Sequence, residues 1–315
     1  MSESTWNRER LQRTSVALAT GGISAHLGTL FGAPIERVKL ILQAQQSSSQ
    51  ITTANQYKGI IDVLKRIPRE QGVMSFWRGN MANIVRYYPT QLLNFALKDT
   101  YNNMFPKYNP QTEFGKFFGM SILSGGLAGM TALLFVYPLD LARTRMALDF
   151  GTTSDTRQFT GLWNCLSTVY KSGGIGSLYY GYAASAVGVI AYRALYFGLY
   201  DAAKQRLFST SERPNYFKSW LVYQTVTTLA TLLTYPLNTI SRNLAMQAGR
   251  SDVLYTGTLD CIRKLYANGG IRSFYGGAMF SIITSVGGAL MLVAYDAFKS
   301  HMANESGSKD SADKE

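Results

Sequence analysis

Charged residues are missing from five long segments of the chain: Thr14–Ile35, Phe117–Tyr137, Ser172–Tyr192, Ser219–Ser241 and Gly276–Tyr295. A sixth, Gly79–Leu97, is interrupted only by Arg86. Each is about the 20 residues that a helix needs to cross ~30 Å of hydrocarbon. None is purely apolar, since Ser, Thr, Gly, Asn, Gln and Tyr are scattered through them. The pattern predicts six spanning helices, each with one face to lipid and the other to a water-filled cavity. Buried helices of a large soluble protein would not explain why charges gather at the ends of all six. Met1–Arg13 is polar and charged, without the short apolar run of a signal peptide. Ala303–Glu315 reads as a solvated, mobile tail.

The segments belong to a threefold repeat. Pro34, Pro138 and Pro236, 104 and 98 residues apart, open Pro-Ile-Glu-Arg-Val-Lys, Pro-Leu-Asp-Leu-Ala-Arg and Pro-Leu-Asn-Thr-Ile-Ser. Tyr57-Lys-Gly59, Phe159-Thr-Gly161 and Tyr255-Thr-Gly257 recur at nearly that spacing, as do Gly72, Gly174 and Gly270, and Gly79, Gly181 and Gly277. Each copy closes on an acid: Asp99, Asp201 and Asp296. Repeats of this length point to a supersecondary unit that is completed by its neighbours. The expected unit is a long helix bent at its proline, a loop, a short amphipathic helix and a second spanning helix. The short helices fall near Ile60–Arg69, Leu162–Lys171 and Thr258–Ala267, with mixed apolar and basic faces suited to a membrane surface. The units divide as 14–108, 109–212 and 213–302, flanked by the segments 1–13 and 303–315.

The triplicated Pro-x-[Asp/Glu]-x-x-[Lys/Arg] pattern resembles the mitochondrial carrier family over about residues 10–302. Ala33-Pro-Ile-Glu-Arg-Val-Lys-Leu, Phe76-Trp-Arg-Gly-Asn, Arg86-Tyr-Tyr-Pro-Thr-Gln and Tyr192-Arg-Ala-Leu-Tyr-Phe-Gly-Leu-Tyr-Asp are similar to its ADP/ATP-carrying branch. The match is strong in the first two repeats and weaker in the third. The resemblance implies an all-α multi-pass protein of the mitochondrial inner membrane: six transmembrane helices in a threefold pseudo-symmetric barrel, with three short helices on the matrix side. It implies antiport of ADP and ATP by alternating access through a central cavity.

An arginine inside the membrane is costly unless it faces water or a partner, and Arg86 lies 13 residues, about 20 Å of helix, before Asp99. Arg193 poses the same question, and Arg242 closely follows the third proline. Guanidinium forks match phosphate oxygens, and Tyr192 offers a ring face to a purine. By resemblance, Arg86, Arg193 and Arg242 fall on phosphate-binding positions. Asn83, Gly188, Val189 and Tyr192 fall on other substrate positions, the last three near the adenine. The structural alternative is that these arginines pair with acids inside the barrel and bind nothing. The resemblance also implies a matrix gate of Glu36, Lys39, Asp140 and Arg143. Because Asn238 and Ser241 replace the third acid and base, one ion pair of three is expected there. A cytoplasmic gate of Asp99, Asp201, Lys204, Asp296 and Lys299 has Asn102 in place of one base, which leaves two possible pairs. The glycines Gly72, Gly79, Gly174, Gly181, Gly270 and Gly277 are turn glycines or present backbone N–H groups to phosphate. The resemblance implies cardiolipin there.

Several positions depart from the nucleotide-carrying pattern. Thr29 and Thr284 stand where it has a lysine and an arginine, and Ser241-Arg-Asn243 where it has three arginines. Each charge-assisted contact is worth roughly 1.5–3 kcal/mol, so losing two weakens nucleotide binding about a hundredfold or more. Two further readings therefore stand beside nucleotide exchange: a non-transporting structural subunit of an inner-membrane respiratory complex, and a carrier of a different anionic solute.

Composition narrows the classes. With 31 Lys+Arg, 19 Asp+Glu and 2 His the net charge is +12, which suits anionic lipid and anionic substrate alike. Charged residues are 16% and apolar residues 46% of the chain, which is not the composition of a disordered protein. Two Cys rule out a disulfide scaffold or a Cys-based zinc site. Cys165 and Cys261 sit at matching repeat positions and read as free structural thiols; His26 reads as a packing residue. Gly21, Gly22, Gly28 and Gly32, and Gly125, Gly126 and Gly129, permit close helix contact. No Walker A sequence, His-based metal motif or catalytic triad is present, so neither an enzyme nor a cofactor or nucleic-acid partner is expected.

Overall fold

The computed structural model describes residues 28–106, 108, 112–152, 156–207, 216–250 and 252–285. These form α1 (28–44), α2 (Ile60–Gln71), α3 (Asn80–Met104), α4 (Phe114–Ala147), α5 (Leu162–Ser177), α6 (Tyr182–Leu207), α7 (Tyr216–Ala245), α8 (Thr258–Gly269) and α9 (278–285). No strand occurs among the described residues. The terminal segments, His26, Asp296 and Lys299 lie outside them, as do the side chains of Asp201 and Lys204 on α6.

The order long–short–long appears in the first two copies, the third shows α7, α8 and the described start of α9, and Pro34, Pro138 and Pro236 each lie inside a helix. The short helices begin where expected and run slightly further, α5 turning at Gly173 and Gly174 into the segment that follows. Among the described residues, only Gly115–Ala147 and Tyr182–Tyr200 are, taken alone, long and apolar enough to span a membrane. The rest are diluted by polar side chains. On α7, Thr225, Thr227 and Thr234 each donate a 2.8 Å bond to the carbonyl four residues back, so their hydroxyls are satisfied without water.

Each repeat has its own core, and the cores correspond. Val63, Cys165 and Cys261 occupy one repeat position, each wholly buried, and Ile67, Val169 and Leu265 another. They pack the short helices against the proline-bearing ones, α1, α4 and α7: Val63 and Ile67 with Val38 and Ile41, Cys165 and Val169 with Leu141, Cys261 and Leu265 with Ile240. The loops are held by a repeated polar clasp. Gln45 binds both the N–H and the carbonyl of Tyr57 (2.8 and 3.0 Å), Asp149 accepts from the N–H groups of Gln158 and Phe159 (3.0 and 3.2 Å), and Gln247 accepts from Leu254 and Tyr255 (2.6 and 3.0 Å).

Between repeats, backbones approach closely. A methyl added at Gly79 would stand 2.9 Å from the Arg143 carbonyl oxygen, at Gly181 2.5 Å from that of Ser241, and at Gly277 3.0 Å from that of Lys39. The glycine before each of α3, α6 and α9 thus bears on the motif of the next repeat, and the last contact returns to the first. Gly126 packs on Ile190, and Gly129 on Val189 and Arg193, so the glycines of α4 do allow close contact with α6. At Gly28 and Gly32 an added methyl would meet no described residue.

Candidate functional site

The proline motifs bring their charges together at one level. Arg143 donates to Glu36, an ion pair between the first two repeats. Asp140 is also paired, which corrects the expectation of a single link. Arg242 Nη1 lies 2.7 Å from Asp140 Oδ2 and 2.7 Å from Thr144 Oγ1. Arg242 stands one residue beyond the repeat position of the missing base, and its long side chain reaches the acid that Ser241 cannot. Ser241 turns instead to Gly181 O (2.9 Å) and Ser185 Oγ (2.5 Å). In the third link, Lys39 makes no ion pair among the described residues; its ammonium sits 5.8 Å from the centre of the Tyr235 ring. Two ion pairs and one cation–π contact therefore close the ring. Asn243, counted as a lost cation, is wholly buried and ties the third repeat to the first. It donates to Gln43 O (3.0 Å) and accepts from Ser47 Oγ (2.5 Å).

Arg86 approaches this ring from α3. Its Nε is 3.9 Å from Asp140 Oδ1, too long for a hydrogen bond, and is buried without a hydrogen-bond partner among the described residues. Its Nη2 donates to Asn83 Oδ1 at 3.1 Å, so two expected site residues meet. Asp140 thus carries one charge between two arginines.

A cavity of about 210 Å³ opens between α6 and α7, lined by Gly188, Val189, Tyr192 and Arg193 together with Thr231, Thr234 and Asn238. The first four were legible in the sequence as a group. Thr231 and Thr234 were not, and their only signal was spacing on the same helix face as Asn238. Arg193 lies against α4, where Gly125 and Gly129 leave room for its guanidinium, and donates to the Gly125 carbonyl. Tyr192, Tyr196 and Tyr200 stack along α6 with ring centres 6.1 Å apart at each step, and Tyr223 of α7 meets Tyr196 edge-on. The i, i+4, i+8 spacing of those tyrosines was readable but was not used.

The family model described as mitochondrial carrier protein matches three successive segments, residues 12–109, 115–211 and 212–306. The chain belongs to the mitochondrial carrier family. It is therefore an all-α, multi-pass protein of the mitochondrial inner membrane. The carrier is 50% identical to ADP/ATP translocase 2 of Bos taurus over 282 residues, 89% of this chain and 94% of that one. It is 49% identical to ADP/ATP translocase 3 of Homo sapiens over the same shares of each chain. It is also 49% identical to the mitochondrial substrate carrier family protein ancA of Dictyostelium discoideum, over 91% of this chain and 93% of that one.

The carrier's repeat symmetry sets Arg86, Gly188 and Thr284 at one equivalent position of α3, α6 and α9, 102 and 96 residues apart. A cation, a gap and a neutral hydroxyl thus replace one another. Thr284 spends its hydroxyl on the carbonyls of Phe280 (2.8 Å) and Ser281 (3.0 Å), while Thr29 is half-buried on α1. At the other end of α3, exposed Asp99 lines a cavity of about 570 Å³ with Asn102, whose Oδ1 accepts from Ser124 at 3.0 Å. All six of the glycines singled out in the sequence have positive φ, between 60° and 84°. The largest cavity described, about 970 Å³, lies between the first and third repeats and is lined by Lys58, Lys65 and Arg272 beside Gly59, Gly276 and Gly277.

Proposed function

We propose that this carrier exchanges ADP and ATP across the inner membrane by alternating access. The observation that carries the reading is the sharing of Asp140 between Arg242 and Arg86, close to a cavity walled by Tyr192, Gly188 and Val189. Guanidinium groups bind phosphate oxygens bidentately, and a polyphosphate brings several negative charges where Asp140 brings one. Substrate phosphates drawing on Arg86, Arg242 and Arg193 would release Asp140 and loosen the closed ring. Closing the opposite ring, through Asp99, Asp201 and Asp296 with Lys204 and Lys299, would then complete the cycle. Asn83 holds Arg86 in position, and Tyr192 gives the base a ring to lie on. The closed proline ring is the matrix gate in this scheme. The names of the relatives support the substrate.

Anionic lipid, with cardiolipin as the bound species, belongs to the same reading. The backbone before α3, α6 and α9 turns at Gly79, Gly181 and Gly277, and Gly72, Gly174 and Gly270 follow the short helices. Basic side chains accompany Gly277 at the cavity of about 970 Å³. Purified protein in liposomes loaded with ADP tests the function directly. Uptake of labelled ADP that depends on internal ADP or ATP, and that falls at least tenfold in Arg86→Ala, is expected. No exchange of any nucleotide, with stable co-purification in a respiratory complex, would favour the structural-subunit reading.

A further inference from the structure

Asn238 occupies the repeat position of Glu36 and Asp140, yet it has left the ring. Both equivalents are held in ion pairs, whereas Asn238 is exposed to the cavity between α6 and α7 and makes no hydrogen bond with a described residue. The cation that an acid here would answer, Lys39, sits over Tyr235 instead. Opposite lies Gly188, where an added methyl would stand 3.7 Å from Asn238 Oδ1 and 3.6 Å from Leu237 Cβ. The missing side chain at Gly188 leaves space directly in front of the carboxamide, and Tyr192 is on the same cavity wall.

A carboxamide offers an acceptor and two donors in one plane. That set matches the edge of a purine with an amino group beside a ring nitrogen, the pairing by which asparagine recognises adenine N6 and N7. A carboxylate in its place could accept but not donate, and would add negative charge beside a polyanion. We infer that Asn238 reads the base of the transported nucleotide, its Oδ1 accepting from a 6-amino group and its Nδ2 donating to the adjacent ring nitrogen. The assignment rests on the nucleotide reading above and adds selectivity to it. On that edge, position 6 with N7, a 6-oxo purine presents two acceptors and satisfies only one half of the pair.

The test uses the full-length protein in liposomes and compares kcat/KM for ADP and for IDP, which differ at C6 (amino against oxo) and in the proton that the oxo form carries on N1, and share the same N7. Wild-type protein is expected to prefer ADP, and both Asn238→Leu and Asn238→Ala to lower the ADP:IDP ratio about tenfold. A purely structural role would lower both rates alike and leave the ratio unchanged. The thermal midpoint of each purified variant identifies any that is misfolded, and the other variant then decides. Exchange by wild-type protein without preference, or with a ratio unmoved in the folded variants, overturns the assignment alone. Absence of exchange with any nucleotide overturns the nucleotide reading and this assignment with it.

Discussion

Arg242 lies one residue beyond the repeat position held by Lys39 and Arg143, and one residue is about 100° of helical turn. Its side chain is long enough to make up the difference, so Asp140 is paired although its expected partner is Ser241. Removing Arg242 leaves Asp140 with Arg86 alone, 3.9 Å away and without a hydrogen bond, so the loss approaches but does not reach the roughly 3–5 kcal/mol of a fully unpaired buried charge. Arg242→Ala is therefore expected to lower the midpoint of thermal unfolding in detergent substantially. Ser241→Arg in the same chain should restore most of the loss, and failure to do so would show that position 241 does not face Asp140. The vacancies at Asn238 and Ser241 could be counted in the sequence. The reach of Arg242 could not, because distances around the ring are set by how three helices converge. Arg37 was missed for the same reason. It is almost wholly buried, donating to the carbonyls of Ala147 (3.0 Å), Ser75 and Asp149 (3.3 Å) and to Gln71 Oε1 (2.8 Å), and nothing local marks it.

Among elements, the turns before α3, α6 and α9 separate two demands that glycine meets. Gly174 and Gly181 both have positive φ, but an added methyl meets nothing at Gly174 and the Ser241 carbonyl oxygen at 2.5 Å at Gly181. Gly174→Ala is expected to cost about 1–3 kcal/mol, the penalty of a backbone conformation (φ 68°, ψ −159°) that essentially only glycine adopts. Gly181→Ala should cost clearly more, because helix α6 must move off α7; thermal unfolding of the two variants side by side measures the gap. The short helices offer a test by pH. Burial pushes the thiols of Cys165 and Cys261 up to about 12, against an ordinary value of 9.0. The thiolate is the reactive form, so maleimide labelling of the folded protein should stay slow through pH 9 and become fast only on unfolding. In the unfolded chain these thiols ionise near pH 9 while the fold keeps them protonated. Their contribution to stability therefore falls as pH rises from about 9 towards 12. Helix order and the starts of the short helices were readable from repeat spacing and periodicity. The clasp of Gln45, Asp149 and Gln247 was not, since an amide and a carboxylate at equivalent positions look unrelated until both are seen holding a loop.

Over the whole molecule, threefold repetition aims apolar side chains outwards at one level. Ile61, Trp163 and Leu259 share a repeat position and are 69%, 77% and 72% exposed, with Val73, Ile175 and Ile271 beside them. Such a belt suits the boundary between headgroups and acyl chains. In a variant whose only tryptophan is Trp163, fluorescence should be quenched strongly by lipids brominated near the headgroup and weakly by lipids brominated near the chain end. Equal or reversed quenching would remove the short helices from that boundary. The symmetry was legible because it is written in landmarks, whereas the asymmetry of the cavity, with Arg86, Gly188 and Thr284 at one position, emerges only when the helices are laid beside one another. The contact of Gly277 with the backbone at Lys39 joins segments 238 residues apart. A polypeptide emerging from its amino end carries the Lys39 segment long before Gly277 exists. Two finished thirds must wait as an open arc, and the barrel can be sealed only once the final third has been made.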